Sequence, residues 1–260
     1  LFYVTAWAGG SDIVDVGVLN TNDEEVKKNV SHNIKQGYIQ IEPHPTNDIE
    51  VMIVGGGPSL LQHVKKIKQL RANGVKLLAI NGAYKWCLDN DLTPSAMVMV
   101  DAREFNSRFT KPVVDDCKYI IASQCNPKAF EGLPKDRTYI WHTQAELITD
   151  LLEKQYEECY PIPGGSTVLL RAIPLFRTLG FKRFHIFGCD SCLEEDKHHA
   201  YEQKENDDQL IMPVNVGGKI FKCHPWMVSQ AQEFIDLIRM LGEEIELEVY
   251  GGLLHHILET

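Results

Sequence analysis

A chain of 260 residues with 44% hydrophobic content can bury a full core, and its length fits one large domain or one domain with an appendage. Its 26 basic against 36 acidic residues give a formal charge of -10, which argues against a general binder of phosphate backbones and leaves room only for a local basic pocket. No apolar run approaches the ~20 residues that span a bilayer, so a soluble protein without a membrane span is expected.

Residues 1–49 read as a lead segment of unassigned role, in which Gly9, Gly10 and Gly17 interrupt short apolar runs. Within it, Thr21 or Asn22 caps a predicted helix that carries Asp23, Glu24 and Glu25 in its first turn and stops at Gly37. Residues 50–260 read as one Rossmann-like nucleotide-binding domain. Residues 51–54 form a strand that ends at three glycines, and residues 59–70 carry Leu60, Leu61, Val64, Ile67 and Leu70 at helical spacing. Further strands are predicted at 77–80, 97–100, 119–122, 138–141 and 184–187, with helices at 83–89, 146–156 and from Gly164 to Leu179. Residues 193–222 are polar and read as an excursion or lid, with a hairpin turn at Gly217 and Gly218. A long helix at 225–241 and a strand at 246–249 close the chain. Strands alternating with helices predict an α/β fold with a mostly parallel sheet and helices on both faces.

The seven cysteines, Cys87, Cys117, Cys125, Cys159, Cys189, Cys192 and Cys223, are odd in number and scattered, which points to a reducing cytoplasm. Cys189 and Cys192 have a C-x-x-C spacing, but no second pair accompanies them, and ordinary packing is the expected role. The opening residues lack the basic flank and apolar stretch of a signal peptide.

In an open parallel sheet, ligands bind beyond the carboxyl ends of the strands. The residues there are Gly55, Gly56, Gly57, Pro58 and Ser59, then Asn81, Asp101, Ser123 with Gln124, His142, and Asp190 with Ser191. The glycine turn would let backbone amides approach an anion, which makes it a candidate phosphate cradle; the plainer reading is a tight turn without a ligand. It lacks the lysine of a P-loop and does not match G-x-G-x-x-G. Gly164, Gly165, Ser166 and Thr167 form a second opening, where the hydroxyls cap the helix or hold an anion. Asp101, followed by Arg103 and Glu104, could orient a ribose, hold a divalent ion, exchange a proton or cap a helix, and Asp190 carries the same choices. His198 and His199 precede Tyr201 in the excursion, and His224 stands before the last long helix; a histidine at the ligand edge would titrate near neutrality and suit proton transfer.

Taken together, GGGPSL at 55–60, NGA at 81–83, Asp101, GGSTV at 164–168, GCDS at 188–191 and HHAY at 198–201 resemble a known family over roughly residues 50–256. It contains the archaeal 6-hydroxymethylpterin diphosphokinases (MptE-like) and the Maf-type motility accessory factors, with phage-encoded members most alike. The resemblance implies a Rossmann-like fold and one of two chemistries: pyrophosphoryl transfer from ATP to a pterin-type alcohol, or transfer of a nonulosonic acid sugar from its CMP-activated form. GGSTV through GCDS is also similar to part of the bacterial CMP-sialic-acid sialyltransferases, in which a histidine before the last helix is the general base; His224 matches that position.

Sugar transfer is the favoured expectation. It would use the glycine turn, Ser166 and Thr167 for CMP, Tyr201 to ease departure of the phosphate, and His224 as base, with Asp190 and Asp101 as further catalytic candidates. The diphosphokinase alternative calls for magnesium held by Asp101 and Asp190. Yet the chain reads AREFN from 102 to 106, without the second aspartate expected of the pterin enzyme. No metal site is expected otherwise. A third reading is a non-catalytic nucleotide-binding phage or prophage protein. The expected partner is a nucleotide or nucleotide-sugar, not nucleic acid; a homo-oligomer stays open.

Overall fold

The computed structural model describes residues 5–6 (backbone alone), 21–195, 197, 199–201 and 210–260. Gly9, Gly10, Gly17 and His198 lie outside the described residues. In chain order the elements are β1 (Thr5–Ala6), α1 (Asp23–Asn33), β2 (Ile39–Gln40), β3 (Glu50–Val54), α2 (Val64–Ala72), β4 (Lys76–Ile80), α3 (Ala83–Asp89), β5 (Ala96–Met99), β6 (Lys118–Ala122) and β7 (Thr138–Trp141). There follow α4 (Glu146–Gln155), α5 (Val168–Thr178), β8 (Arg183–Phe187), β9 (Met212–Val216), β10 (Lys219–Cys223), α6 (Pro225–Leu241), β11 (Glu246–Tyr250) and α7 (Gly252–Glu259).

Eight strands form one sheet in the order β11-β8-β3-β4-β5-β6-β7-β2, and each neighbouring pair is parallel. Val51, Met52, Ile53 and Val54 are wholly buried, because a strand covered on both faces must be apolar at successive positions instead of alternating. From β3 to β7 the sheet grows in one direction. The chain then returns past β3 to lay down β8, and β11 follows outside it. Right-handed crossovers place the connecting elements on opposite faces before and after that reversal. The reversal falls between β3 and β8, and a crevice opens there at the carboxyl ends of the strands.

Of the described residues before 50, α1 and β2 join this sheet as well. Asn22 caps α1 by accepting the Glu25 amide at 2.8 Å, and β2 forms the sheet's far edge beside β7. On the buried side of α1, Asn33 donates to the carbonyls of Ser123 (2.9 Å) and Cys125 (2.7 Å), and Asn29 to those of Ala102 (3.3 Å) and Gln124 (3.1 Å). These two amides satisfy backbone acceptors that the ends of β5 and β6 leave without a ladder partner.

The helix expected from Ser59 begins instead at Val64. Residues Pro58–Gln62 form a 3-10 turn, with the Ser59 amide drawn to Asp190 at 2.9 Å. In the excursion, β9 and β10 form a hairpin whose turn residues Gly217 and Gly218 have φ of 56° and 87°, the left-handed pair that a two-residue hairpin turn requires. Strand β1 pairs with β9 in this second, antiparallel sheet. Among the described residues no helix is long and apolar enough to cross a membrane.

Candidate functional site

A cavity of about 220 Å³ opens at the switch point between β3 and β8. At its floor the two strands keep pairing beyond their ends: the Gly55 amide donates to the Phe187 carbonyl at 2.8 Å and the Gly57 amide to the Gly188 carbonyl at 2.6 Å. A Cβ at Gly55 would lie 2.5 Å from the Gly188 oxygen, and one at Gly57 would lie 2.5 Å from Asp190 Oδ2. Glycine is needed at both positions because two backbones and a carboxylate abut there. The Ser59 amide and hydroxyl donate to the two oxygens of Asp190, at 2.9 and 2.5 Å. Thus the amides of Gly55, Gly57 and Ser59, expected to receive an anion, are satisfied within the protein. Gly56 differs. A Cβ there, or at Gly82, would overlap the Tyr201 hydroxyl and not the β8 backbone.

Asp190 is 4% exposed; burial raises its pKa to about 6, against the opposing hydrogen bonds from Ser59. Its backbone carbonyl accepts the Leu253 amide at 2.8 Å, so this one residue ties together the ends of β3, β8 and β11. Burial pushes the thiols of Cys192 and Cys223 up to about 12, which leaves both protonated near neutrality. Asp101 is engaged by Arg103, whose Nε donates to Oδ1 at 3.0 Å and whose Nη2 donates to Oδ2 at 2.6 Å. Asn81 borders the cavity with φ of 47°, and its Oδ1 is buried without a hydrogen-bond partner among the described residues. An unmet acceptor in a left-handed residue on a cavity wall is where a ligand's donor would be received.

At the start of α5, Thr167 caps the helix by accepting the Leu170 amide at 3.3 Å. The Ser166 amide and hydroxyl both donate to Glu233 Oε2 at 2.8 Å, so a carboxylate from α6 already takes the anion position at that helix end. His224 is 2% exposed and caps α6. Its Nδ1 lies 2.9 Å from the Leu210 carbonyl, and its ring centroid lies 5.7 Å from that of Trp226. The next two residues of α6 that matter, Trp226 and Met227, border the cavity, and His224 does not. His199 does border it, with its ring 5.6 Å from that of Tyr201.

Of the residues expected at the site, the structure brings Gly55, Gly56, Gly57, Asn81, Asp101, Thr167, Asp190 and Tyr201 to one cavity. Pro58, Ser59, Ser123, Gln124, Gly165 and Ser166 stand back from it. Gln124 is spent on the Val100 carbonyl (2.9 Å) and the Thr143 hydroxyl (2.8 Å). His142 is buried beside Gln40, which lowers its pKa to about 4. Sequence reasoning passed over Phe109, Trp226 and Gln230, which also line the cavity; the adjacency of Trp226 to His224 was the one available signal. Magnesium does not fit these residues. The oxygens of Asp101 face Arg103 and those of Asp190 face Ser59. No group of three or more His, Cys, Asp or Glu side chains among the described residues could hold a metal ion.

The family model described as 6-hydroxymethylpterin diphosphokinase MptE-like matches residues 24–196. Among solved structures, the Maf glycosyltransferase of Magnetospirillum magneticum AMB-1 is similar with a TM-score of 0.68 at 17% identity, over 89% of this chain and 37% of that one. This chain therefore spans little more than a third of that protein's length. A mammalian sialyltransferase, alone and in complex with Gal-beta-1-3GalNAc-ortho-nitrophenol, is similar at a TM-score of 0.44 and 11% identity, over 89% of this chain and 80% of that one. No curated protein matches the chain. The Maf likeness is one of fold alone.

Proposed function

We propose, from the premise that this chain belongs to the 6-hydroxymethylpterin diphosphokinase MptE-like family, that it is a nucleotide-dependent transferase whose donor is a CMP-activated sugar of the nonulosonic acid type. The observation that carries this reading is the cavity at the β3–β8 crevice, with the unmet Asn81 oxygen and the Tyr201 phenol on its wall. Sugar transfer is favoured over diphosphoryl transfer because Asp101 and Asp190, the carboxylates a magnesium-dependent route calls for, are engaged by Arg103 and Ser59. The alternative, ATP and magnesium acting on a pterin-type alcohol, takes its support from the description of the family.

In the transfer step, His199 takes the proton of the acceptor hydroxyl as that oxygen attacks the donor's anomeric carbon. The bond from this carbon to the CMP phosphate breaks, and its electron pair leaves with CMP. Tyr201 donates a hydrogen bond to the departing phosphate, and Gly56 and Gly82 leave space for the close approach. His224, the base that the sialyltransferase likeness implies, acts through α6: it caps the helix and backs Trp226 against the cavity. Asp190 acts as a positioning residue for the floor. We place the enzyme in the cytoplasm, on the strength of its seven free thiols.

Thermal shift with CMP, and with ATP plus magnesium, tests the assignment. CMP at 100 times its Kd is expected to add about 2.7 kcal/mol of stability. Stabilisation by ATP with magnesium and not by CMP would turn the assignment to the diphosphokinase. Binding of CMP without turnover of any CMP-activated sugar would leave the non-catalytic phage or prophage reading, and binding of neither nucleotide would overturn both transferase assignments.

A further inference from the structure

Trp226, Gln230 and Glu233 follow one another along a single face of α6 at helical spacing. Glu233 fixes how that face is turned, because its Oε2 accepts the amide and the hydroxyl of Ser166, both at 2.8 Å, at the opening of α5. Gln230 and Trp226 stand nearer the start of α6 on the same face, and both border the cavity. Helix α6 packs on α5 and on α7. The rest of the wall that these helices give the cavity is apolar: Val168, Leu169 and Leu170 from α5, Met227 from α6 and Leu254 from α7. Gln230 brings the one amide side chain in that wall, and it forms no hydrogen bond among the described residues.

The strand ends present the cavity with a different surface. Bare backbone lies there at Gly56 and Gly82, beside the unmet oxygen of Asn81. A nucleotide has the same two parts: a hydrophilic sugar phosphate, and a flat base whose faces gain from contact with apolar side chains. With the phosphate at the glycines, the base falls along the wall of α5 and α6. Its polar edge then leaves water, and each group on that edge costs free energy unless it meets a partner. An amide carries a donor and an acceptor side by side. That pair fits an edge on which a ring nitrogen adjoins an exocyclic amine, the amidine edge that cytosine and adenine share.

We infer that Gln230 is the base-reading residue of this site. Its Nε2 donates to the ring nitrogen of an amidine edge and its Oε1 accepts from the exocyclic amine, the base being cytosine in the donor assigned above. The inference rests on the transferase reading for the presence of a nucleotide, and on Gln230 and its wall for the choice of edge. Glu233 is the positioning residue, holding α6 so that the amide faces inward.

Calorimetric titration of the full chain tests this with CMP, with the 4-deamino analogue of CMP, with AMP and with ribose 5-phosphate. CMP is expected to bind about 10-fold or more tightly than the analogue that lacks the exocyclic amine. Gln230→Leu should close that gap to below about 3-fold and leave ribose 5-phosphate affinity within about 2-fold, because only the base edge loses its partner. Gln230→Glu keeps the shape but sets an acceptor against the ring nitrogen, and it should close the gap as well. A merely structural glutamine would weaken all the probes together and leave their ratios unmoved, which would overturn the inference. So would a gap that is absent from the wild type while CMP still binds, or one that survives in both variants. AMP binding more tightly than CMP, with that excess lost in Gln230→Leu, would keep Gln230 as the reader and overturn cytosine as the base. Failure of every probe to bind would overturn the nucleotide reading itself.

Discussion

Replacing Asp190 by asparagine should steepen the loss of stability on the acid side of the pH profile. The carboxylate is 4% exposed, and its folded pKa of about 6 stands above its ordinary value of 3.8, with burial as the main cause. Between these values the folded chain binds a proton that the unfolded chain does not, so stability falls as pH rises through the interval. The stabilisation is fully present below the unfolded pKa and is lost as pH rises through the folded one. A gap of about two pH units corresponds to about 3 kcal/mol in full, of which roughly 2 kcal/mol falls between pH of about 7.5 and about 4.5. Other carboxylates titrate over the same range, so the quantity to measure is the difference between the two proteins. Urea unfolding of wild type and Asp190→Asn at both pH values supplies it, provided that the m-values agree. The wild type should gain on the variant by roughly 2 kcal/mol as pH falls from about 7.5 to about 4.5. Parallel profiles, within about 0.5 kcal/mol, would show that Asp190 is not held in a desolvated pocket and that the floor of the cavity is more open than the geometry says.

Two further outcomes bear on the site. Gly56→Val places a branched side chain where the Tyr201 ring lies, and it should weaken nucleotide binding by about 10-fold or more in calorimetric titration; unaltered affinity would move the nucleotide elsewhere. His199→Ala should remove transfer while leaving the melting temperature nearly unchanged, whereas His224→Ala should cost about 1–2 kcal/mol through loss of the α6 cap and the buried ring. Full activity of His199→Ala, or an undiminished stability of His224→Ala, would reverse those roles.

Most of the sheet was legible because its strands are buried on both faces and read as short apolar runs ending at polar residues or glycine. What escaped was short or locally ambiguous. Ile39–Gln40 is too brief to show a period, and α7 opens on Gly252 directly after Gly251, a glycine pair that carries no side-chain signal for a helix start. The site was legible in outline, since the residues at strand ends include its floor. Sequence could not tell which strand ends flank the reversal. Ser123 and Gln124 end β6, two strands beyond β4, and α1 covers the carbonyls there. Nor could it show that Asp190 and Glu233 would supply from within the negative charge that the glycine turn and the α5 opening seemed to await from outside.

Ser59 and Asp190 are 131 residues apart in the chain, yet they meet across one pair of strands. During synthesis the ribosome releases β3 long before β8, and the edge of β3 facing away from β4 stays uncovered throughout that interval. A truncation ending ahead of Arg183 would make that interval permanent: residues 51–54 would offer a bare apolar ladder to any passing strand. Such a fragment should be recovered from cells as aggregate, and fragments chosen for expression should run past the last strand.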